Sequence, residues 1–311
     1  MTDPLWPPST QTMFHWQFDP YRSVFEEICS QYPKKKEDEA NLKLVQETNT
    51  LEELIDLIPR VKGHSLLKLE NKLAEFCGRN IEGIKTIIQN FESSEDGFQK
   101  EVLLTVLGLI GKKEGLPIYD LLMDLFDRLS GYYKSLVAVL LGWLGDDRAA
   151  EPLWNYLQEV KGTSEEVNGA LWGLVELNDK RVNEYLRQVF SGPEKNFSYE
   201  LFPFTAKVGD KRVVGQLFRL ITISKSMEIR DAALHALAYI VKREGTGVIM
   251  NYLRSGNRRV KSLAREIVSL SKEPDDSFYI LQMFDPIGTL PPLVKIGFSE
   301  ENNTTSSSET R

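Results

Sequence analysis

Cysteine and histidine are scarce in this 311-residue chain, which holds only Cys29 and Cys77, and His15, His64 and His235. Two cysteines are too few for a disulfide framework or a cysteine-built zinc site. The histidines stand far apart and none is paired with a glutamate, so no metal-ligand spacing is present. Long apolar runs are missing too. The longest, Leu136 to Leu144, is interrupted by Gly142 and falls well short of the ~20 residues of a membrane span. The start, Met1-Thr2-Asp3-Pro4-Leu5-Trp6-Pro7-Pro8, has neither a basic beginning nor an apolar core, so no secretory signal is expected. No Gly-x-Gly-x-x-Gly or Walker loop follows a strand, and no stretch alternates cleanly enough to be one. These absences predict a soluble, reduced, cytoplasmic chain without cofactor, metal or recognisable catalytic set.

What the chain does have is apolar residues in quantity and in order. Hydrophobic residues make up 41% and charged ones 27%, enough for a sizeable core. Seven small or polar residues end strongly apolar stretches: Gly78, Gly111, Gly145, Asn178, Gly209, Lys242 and Lys272, spaced 33, 34, 33, 31, 33 and 30 apart. Glycine and asparagine are the residues that accept the left-handed conformation at a helix C-terminus. At one, four, five and eight residues before these anchors, 24 of 28 positions are apolar, where the composition would give about 11. The exceptions are Glu70, Gly173, Thr205 and Ser271. Such offsets lie on one face of an α-helix.

A second helix follows each anchor, as in Leu153, Tyr156 and Leu157, then Leu186, Val189 and Phe190, then Leu217, Leu220 and Ile221; Ile280, Met283 and Phe284 continue the columns. Breakers such as Ser191-Gly192-Pro193 and Ser255-Gly256-Asn257 separate the units. Each unit is therefore helix, turn, helix, loop, and the fold class is all-α. One such pair cannot bury its own apolar face, whereas stacked pairs share a continuous core.

The third turn, Leu141-Gly142-Trp143-Leu144-Gly145-Asp146-Asp147-Arg148-Ala149-Ala150-Glu151-Pro152-Leu153, resembles the HEAT-like (armadillo-type) repeat family, in the short variety found in phycobilin lyase subunits and many bacterial scaffold proteins. The motif recurs at Asn178 to Val182 and Gly209 to Val213, and the resemblance covers about residues 64 to 284. It implies a right-handed α-solenoid of about seven stacked helix–turn–helix repeats. Di-iron hydroxylases built on the same repeat depend on His–Glu pairs, which this chain lacks. Around the repeats, residues 1–37 are expected to form an N-terminal extension with a cap helix from Asp19-Pro20 to Tyr32. Residues 38–284 form the repeat region, opening on a capping box at Thr50 and Glu53, and residues 285–311 form an extension with a disordered tail.

Several polar constellations invite a functional reading. An Asp-x-Arg ladder runs through Asp146 and Arg148, Asp179 and Arg181, and Asp210 and Arg212. Because it repeats in register with the fold, it is expected to be structural, Asp capping a helix and Arg reaching a neighbouring turn. Cys77 shares a column with Ile110, Leu144, Leu177, Val208 and Val241, so it is expected to be core. His235 is expected half-buried and hydrogen-bonded. Trp143, Trp154 and Trp172 stand in columns of mixed polarity, Trp143 with Glu176 and Lys207, and are expected at the surface as candidate partner contacts.

Charge supplies the last clue. The chain carries 38 basic and 45 acidic residues, net −7, yet residues 207–272 hold 14 basic and 5 acidic ones, net +9. The cations concentrate at Arg254, Arg258, Arg259, Lys261 and Arg265. Such asymmetry points to an acidic partner surface. The expectation is a non-enzymatic scaffold or adaptor binding a protein partner, acidic by the charge argument, along its curved surface. The resemblance also allows a phycobilin lyase-like or chaperone-like subunit acting on a pigment protein. Nucleic-acid binding through 207–272 ranks lower, because the sequence pI is near 5.3.

Overall fold

The computed structural model describes residues 36–61, 63–78, 81–160, 165–194 and 201–272. The expected cap helix from Asp19 to Tyr32, Cys29, the second helix of the seventh unit and the 285–311 extension lie outside these residues. Among the described residues there are fifteen α-helices and no strand. They are α1 (Lys36–Glu47), α2 (Leu51–Asp56), α3 (Gly63–Gly78), α4 (Ile81–Ser93), α5 (Gly97–Lys113), α6 (Tyr119–Arg128), α7 (Gly131–Leu144) and α8 (Ala150–Glu159). There follow α9 (Glu165–Glu176), α10 (Arg181–Ser191), α11 (Leu201–Val208), α12 (Lys211–Ile223), α13 (Met227–Glu244), α14 (Met250–Leu253) and α15 (Arg258–Leu270).

Helix starts are set by short polar side chains that take up otherwise orphaned backbone N–H groups. Asp96 accepts from Phe98 and Gln99, Ser226 from Ile229, and Thr50 from Glu53, whose carboxylate in turn receives the Thr50 hydroxyl at 2.7 Å. Helix ends follow the anchors at Gly145 (φ 78°) and Asn178 (φ 55°), both left-handed. Two anchors are corrected. Gly111 lies inside α5, which runs on to Lys113, and Lys242 lies inside α13, which runs on to Glu244. The left-handed glycines are one turn later, at Gly115 (φ 68°) and Gly245 (φ 83°). Gly111 is small for a different reason: a Cβ there would strike Leu144 of α7 and Ile118.

The first helices of successive units, α3, α5, α7, α9, α11, α13 and α15, lie side by side in chain order, and each second helix from α4 to α14 lies against the first helix that follows it. Neighbouring first helices run parallel where side chains join their ends. Lys112 at the end of α5 donates to the Trp143 carbonyl at the end of α7, at 2.9 Å. Arg243 at the end of α13 donates to the carbonyls of Ala206, Lys207 and Gly209 at the end of α11. Lys72 does the same for α1, at Val45 and Gln46. Each cation occupies the negative end of a neighbouring helix and satisfies carbonyls that the helix leaves open.

The apolar columns form the core: Leu73, Leu103, Val106, Leu107, Val137, Leu140, Leu174, Phe204, Leu237 and Ile267 are all buried. So are all four exceptions to the pattern. Thr205 donates its hydroxyl to the Leu201 carbonyl at 2.6 Å and Ser271 to the Val268 carbonyl at 2.9 Å, so the helix itself satisfies the buried hydroxyls. Gly173 marks the closest approach in the fold. A Cβ on Gly173 would strike the Ala138 carbonyl of α7, one on Gly142 would strike the Gly173 backbone, and one on Gly169 the Ser135 backbone. Helices α7 and α9 therefore meet backbone to backbone along Ser135, Ala138 and Gly142 against Gly169 and Gly173.

Two substitutions measure this packing. Gly173→Ala improves intrinsic helix propensity, yet it should lower stability by about 1–3 kcal/mol through overpacking. Gly247→Ala, where a Cβ meets nothing within 4 Å, should be close to neutral in the same urea titration. Leu140→Ala, at a side chain with 0% exposure, should cost about 2–5 kcal/mol. Equal midpoints for Gly173→Ala and Gly247→Ala would refute the close α7–α9 contact.

Candidate functional site

The basic cluster is built by the end of α14, the loop 254–257 and the start of α15. Asn257 caps α15, its side-chain oxygen accepting from Arg259 N at 2.9 Å and Val260 N at 3.3 Å, and its own N–H is held by Ser255. Val260, Leu263, Ala264 and Ile267 turn α15 onto the core. The opposite side carries Arg258 and Arg265, with Arg259 beside them; these three and Arg254 are exposed, and Lys261 is half-buried. No acidic residue stands in the first turn of α15, and Glu266 is the one acid on the helix. Among the described residues none of the five basic side chains has a hydrogen-bond or ion-pair partner, and the same is true of Lys225, Arg230 and Lys272.

Most earlier described arginines are used differently, Arg60 excepted. Arg128 bonds Asp124 and Glu92, Arg187 bonds Glu184, Arg219 the Phe190 carbonyl, and the ladder arginines their own aspartates. In the ladder all three aspartates cap, and two of the three arginines, Arg148 and Arg181, also reach the preceding unit. Asp146, Asp179 and Asp210 each accept the backbone N–H two residues on and grip the guanidinium that follows. Arg148 reaches back to Asp120 at 3.5 Å and lies over the Tyr119 ring. Arg181 reaches Glu151 at 2.7 Å and the Ala150 carbonyl, with its guanidinium 4.8 Å from the centre of the Trp154 ring. Arg212 bonds Asp210 but makes no comparable bond to the preceding unit.

The tryptophans are corrected. Trp143 and Trp172 are buried, with 3% and 2% exposure, and Trp154 is half-buried beneath Arg181. Trp143 lies beside Gly108, where an added Cβ would strike Leu140 and crowd the Trp143 ring. Its column is mixed because the charges in it neutralise each other: Lys207 meets Glu176 at 2.5 Å, and Glu176 also accepts from Trp172 Nε1 at 3.1 Å. Two opposite charges one repeat apart in one column are the sequence signal of such a stacked pair. Trp143 and Trp154 therefore do not join the basic cluster at a shared surface.

Cys77 is fully buried, and burial pushes its thiol up to about 12, so it is inert core. His235 is half-buried, Nδ1 lying 2.9 Å from the Asp231 carbonyl. Among the described residues no group of three or more His, Cys, Asp or Glu is placed to hold a metal, and no helix is long and apolar enough to cross a membrane.

No family model matches the chain, and no curated protein matches it. One similar solved structure is described as an engineered protein; it is 18% identical, the match covers 90% of this chain and 85% of that one, and the TM-score is 0.36.

The ladder makes a prediction about acid. Arg148 hydrogen bonds hold Asp146 below the usual carboxylate range; for Asp179 and Asp210 burial pushes upward, but the bonds from Arg181 and Arg212 prevail and the net direction is down. A carboxylate depressed in the folded state adds stability above its unfolded pKa of about 3.9 and loses it as pH falls through the folded value. The triple variant Asp146→Asn, Asp179→Asn, Asp210→Asn should be less stable than the wild type at neutral pH. That gap should shrink below about pH 4 in urea titrations. A gap independent of pH would show that the ladder contributes no charge.

Proposed function

We propose that the chain is a non-enzymatic HEAT-like α-solenoid that binds an acidic protein partner on the edge formed by the 254–257 loop and the start of α15. The observation that supports this reading is the cluster Arg254, Arg258, Arg259, Lys261 and Arg265, whose side chains make no hydrogen bond or ion pair among the described residues and share their helix with one acid, Glu266. Placing Arg258, Arg259 and Lys261 at the positive end of a helix dipole costs stability, and their mutual repulsion costs more. An acidic partner relieves both and is drawn in faster by the field.

Nucleic acid is the weaker reading. The Tyr252 ring next to the cluster is stacked on Phe218 at 3.7 Å, so it is not free to stack on a base, and the chain as a whole is acidic. The pigment-protein reading rests on the family resemblance alone.

Reversing Arg258, Arg259 and Lys261 to Glu should leave the far-UV circular dichroism unchanged and weaken retention of the partner from the native cell by about tenfold or more. Wild-type retention should fall as salt is raised from about 0.1 M to 1 M. Retention of the same partner by the triple variant, insensitive to salt, would overturn the reading; nuclease-sensitive retention would replace it with nucleic-acid binding.

A further inference from the structure

The turn that joins α12 to α13, Ile223-Ser224-Lys225-Ser226-Met227, has its polarity inverted. Its serines face inward: Ser224 is 6% exposed and donates its hydroxyl to Glu194 Oε2 of the preceding unit at 2.8 Å. The Ser224 hydroxyl also accepts the Ser226 N–H, and Ser226 caps α13 by accepting from Ile229 N. Its apolar residues face outward: Ile223 is 59% and Met227 72% exposed, the most exposed large hydrophobic side chains among the described residues. Burying Ser224 and exposing the isoleucine and methionine is the reverse of what stability favours. The three serine-centred hydrogen bonds fix the backbone of the turn, so the positions from which the two apolar side chains project are set before contact.

This turn belongs to the same edge as the basic cluster. Helix α13 lies against α15, and the α14–α15 loop is the next unit's equivalent of the α12–α13 turn. Exposed Lys225 stands between Ile223 and Met227, and exposed Arg230 follows one turn into α13. Adjacent packed helices are about 8–10 Å apart, which an extended chain covers in about three residues.

We infer that the partner segment recognised at this edge is an acidic peptide carrying an apolar side chain, which seats against Ile223 and Met227 while its carboxylates, about three residues away, meet Arg258, Arg259 and Lys261. The inference rests on the reading of the basic edge as the recognition surface and adds a hydrophobic anchor to it. Charge alone would draw many acidic chains; the anchor selects among them, because an apolar side chain contributes only when it is buried.

The full-length chain tests this with a fluorescein-labelled glutamate-rich peptide of about twelve residues, long enough to cross both units. It carries one central leucine, and its twin has serine instead. Fluorescence anisotropy should give the leucine peptide roughly tenfold higher affinity for the wild type. In Ile223→Ser/Met227→Ser, whose substitutions lie on the surface, the two peptides should bind alike, while the Arg258→Glu/Arg259→Glu/Lys261→Glu variant should bind neither. Equal, salt-sensitive affinities of the two peptides for the wild type would overturn the anchor and leave the acidic-partner reading standing. Binding of neither peptide would overturn both, and capture of phosphatidylserine vesicles instead would reassign the edge to a membrane surface. Self-association of the wild type that disappears in Ile223→Ser/Met227→Ser would show that the turn covers a second copy of this chain, and would overturn the anchor as well.

Discussion

A first helix in this fold is apolar on the sides that meet the helices before and after it, and no single unit can cover both. Everything else follows from that need. Each unit is completed by its neighbours, so burial passes from α3 through α15 in chain order, and substantial contacts join elements close in sequence. Where the fit is tightest, between α7 and α9, side chains are removed altogether: Gly142, Gly169 and Gly173 let backbone meet backbone. The dispersion gained there depends on the absence of a Cβ, which is why a glycine can occupy a core column without leaving a void; Leu153 fills the remaining space beside Gly173.

Stacking helices this way also aligns their ends, and aligned ends leave rows of open carbonyls and N–H groups. Most charged side chains near them serve this need. Lys72, Lys112 and Arg243 close carbonyls of a neighbouring helix, and Asp146, Asp179 and Asp210 close N–H groups while holding an arginine. The same geometry explains the buried Trp172, which shares Glu176 with Lys207 of the next unit. Cations with no carbonyl or carboxylate to meet are therefore conspicuous, and from Lys225 onward they predominate.

The repeat was legible because burial imposes a period on the chain, and a period survives even when single positions deviate. Glu70, Thr205 and Ser271 break the apolar pattern and are buried nonetheless. Helix ends were less legible. Gly111 and Lys242 mark the spacing correctly but not the end, because the helix runs on to place Lys112 and Arg243 against the carbonyls of the neighbouring helix. The exposure of Trp143 was misread because each column was weighed for average polarity, whereas the charges opposite it, Glu176 and Lys207, are paired in space. The outward turn at Ile223 and Met227 had no sequence signal: five residues of mixed polarity do not reveal which of them face inward.

The cap at the basic edge is neutral, as Thr50 and Ser226 are at α2 and α13, and this matters most where cations crowd the helix start. Helices that begin with Asp96, Asp146 or Asp210 take their N–H hydrogen bonds from a carboxylate, which also neutralises the positive end of the helix. At α15 the cap is Asn257, whose amide oxygen accepts two N–H groups as Asp96 does at α5 and brings no charge. An aspartate at that position would offset Arg258, Arg259 and Lys261 at close range and would stabilise the helix. Its replacement by a neutral residue of the same shape keeps the local geometry and leaves the field of the cluster intact. Between Asp96 and Asn257, which accept the same number of N–H groups, the remaining difference is the charge presented to whatever approaches the edge, and that is the property on which selection of an acidic segment depends.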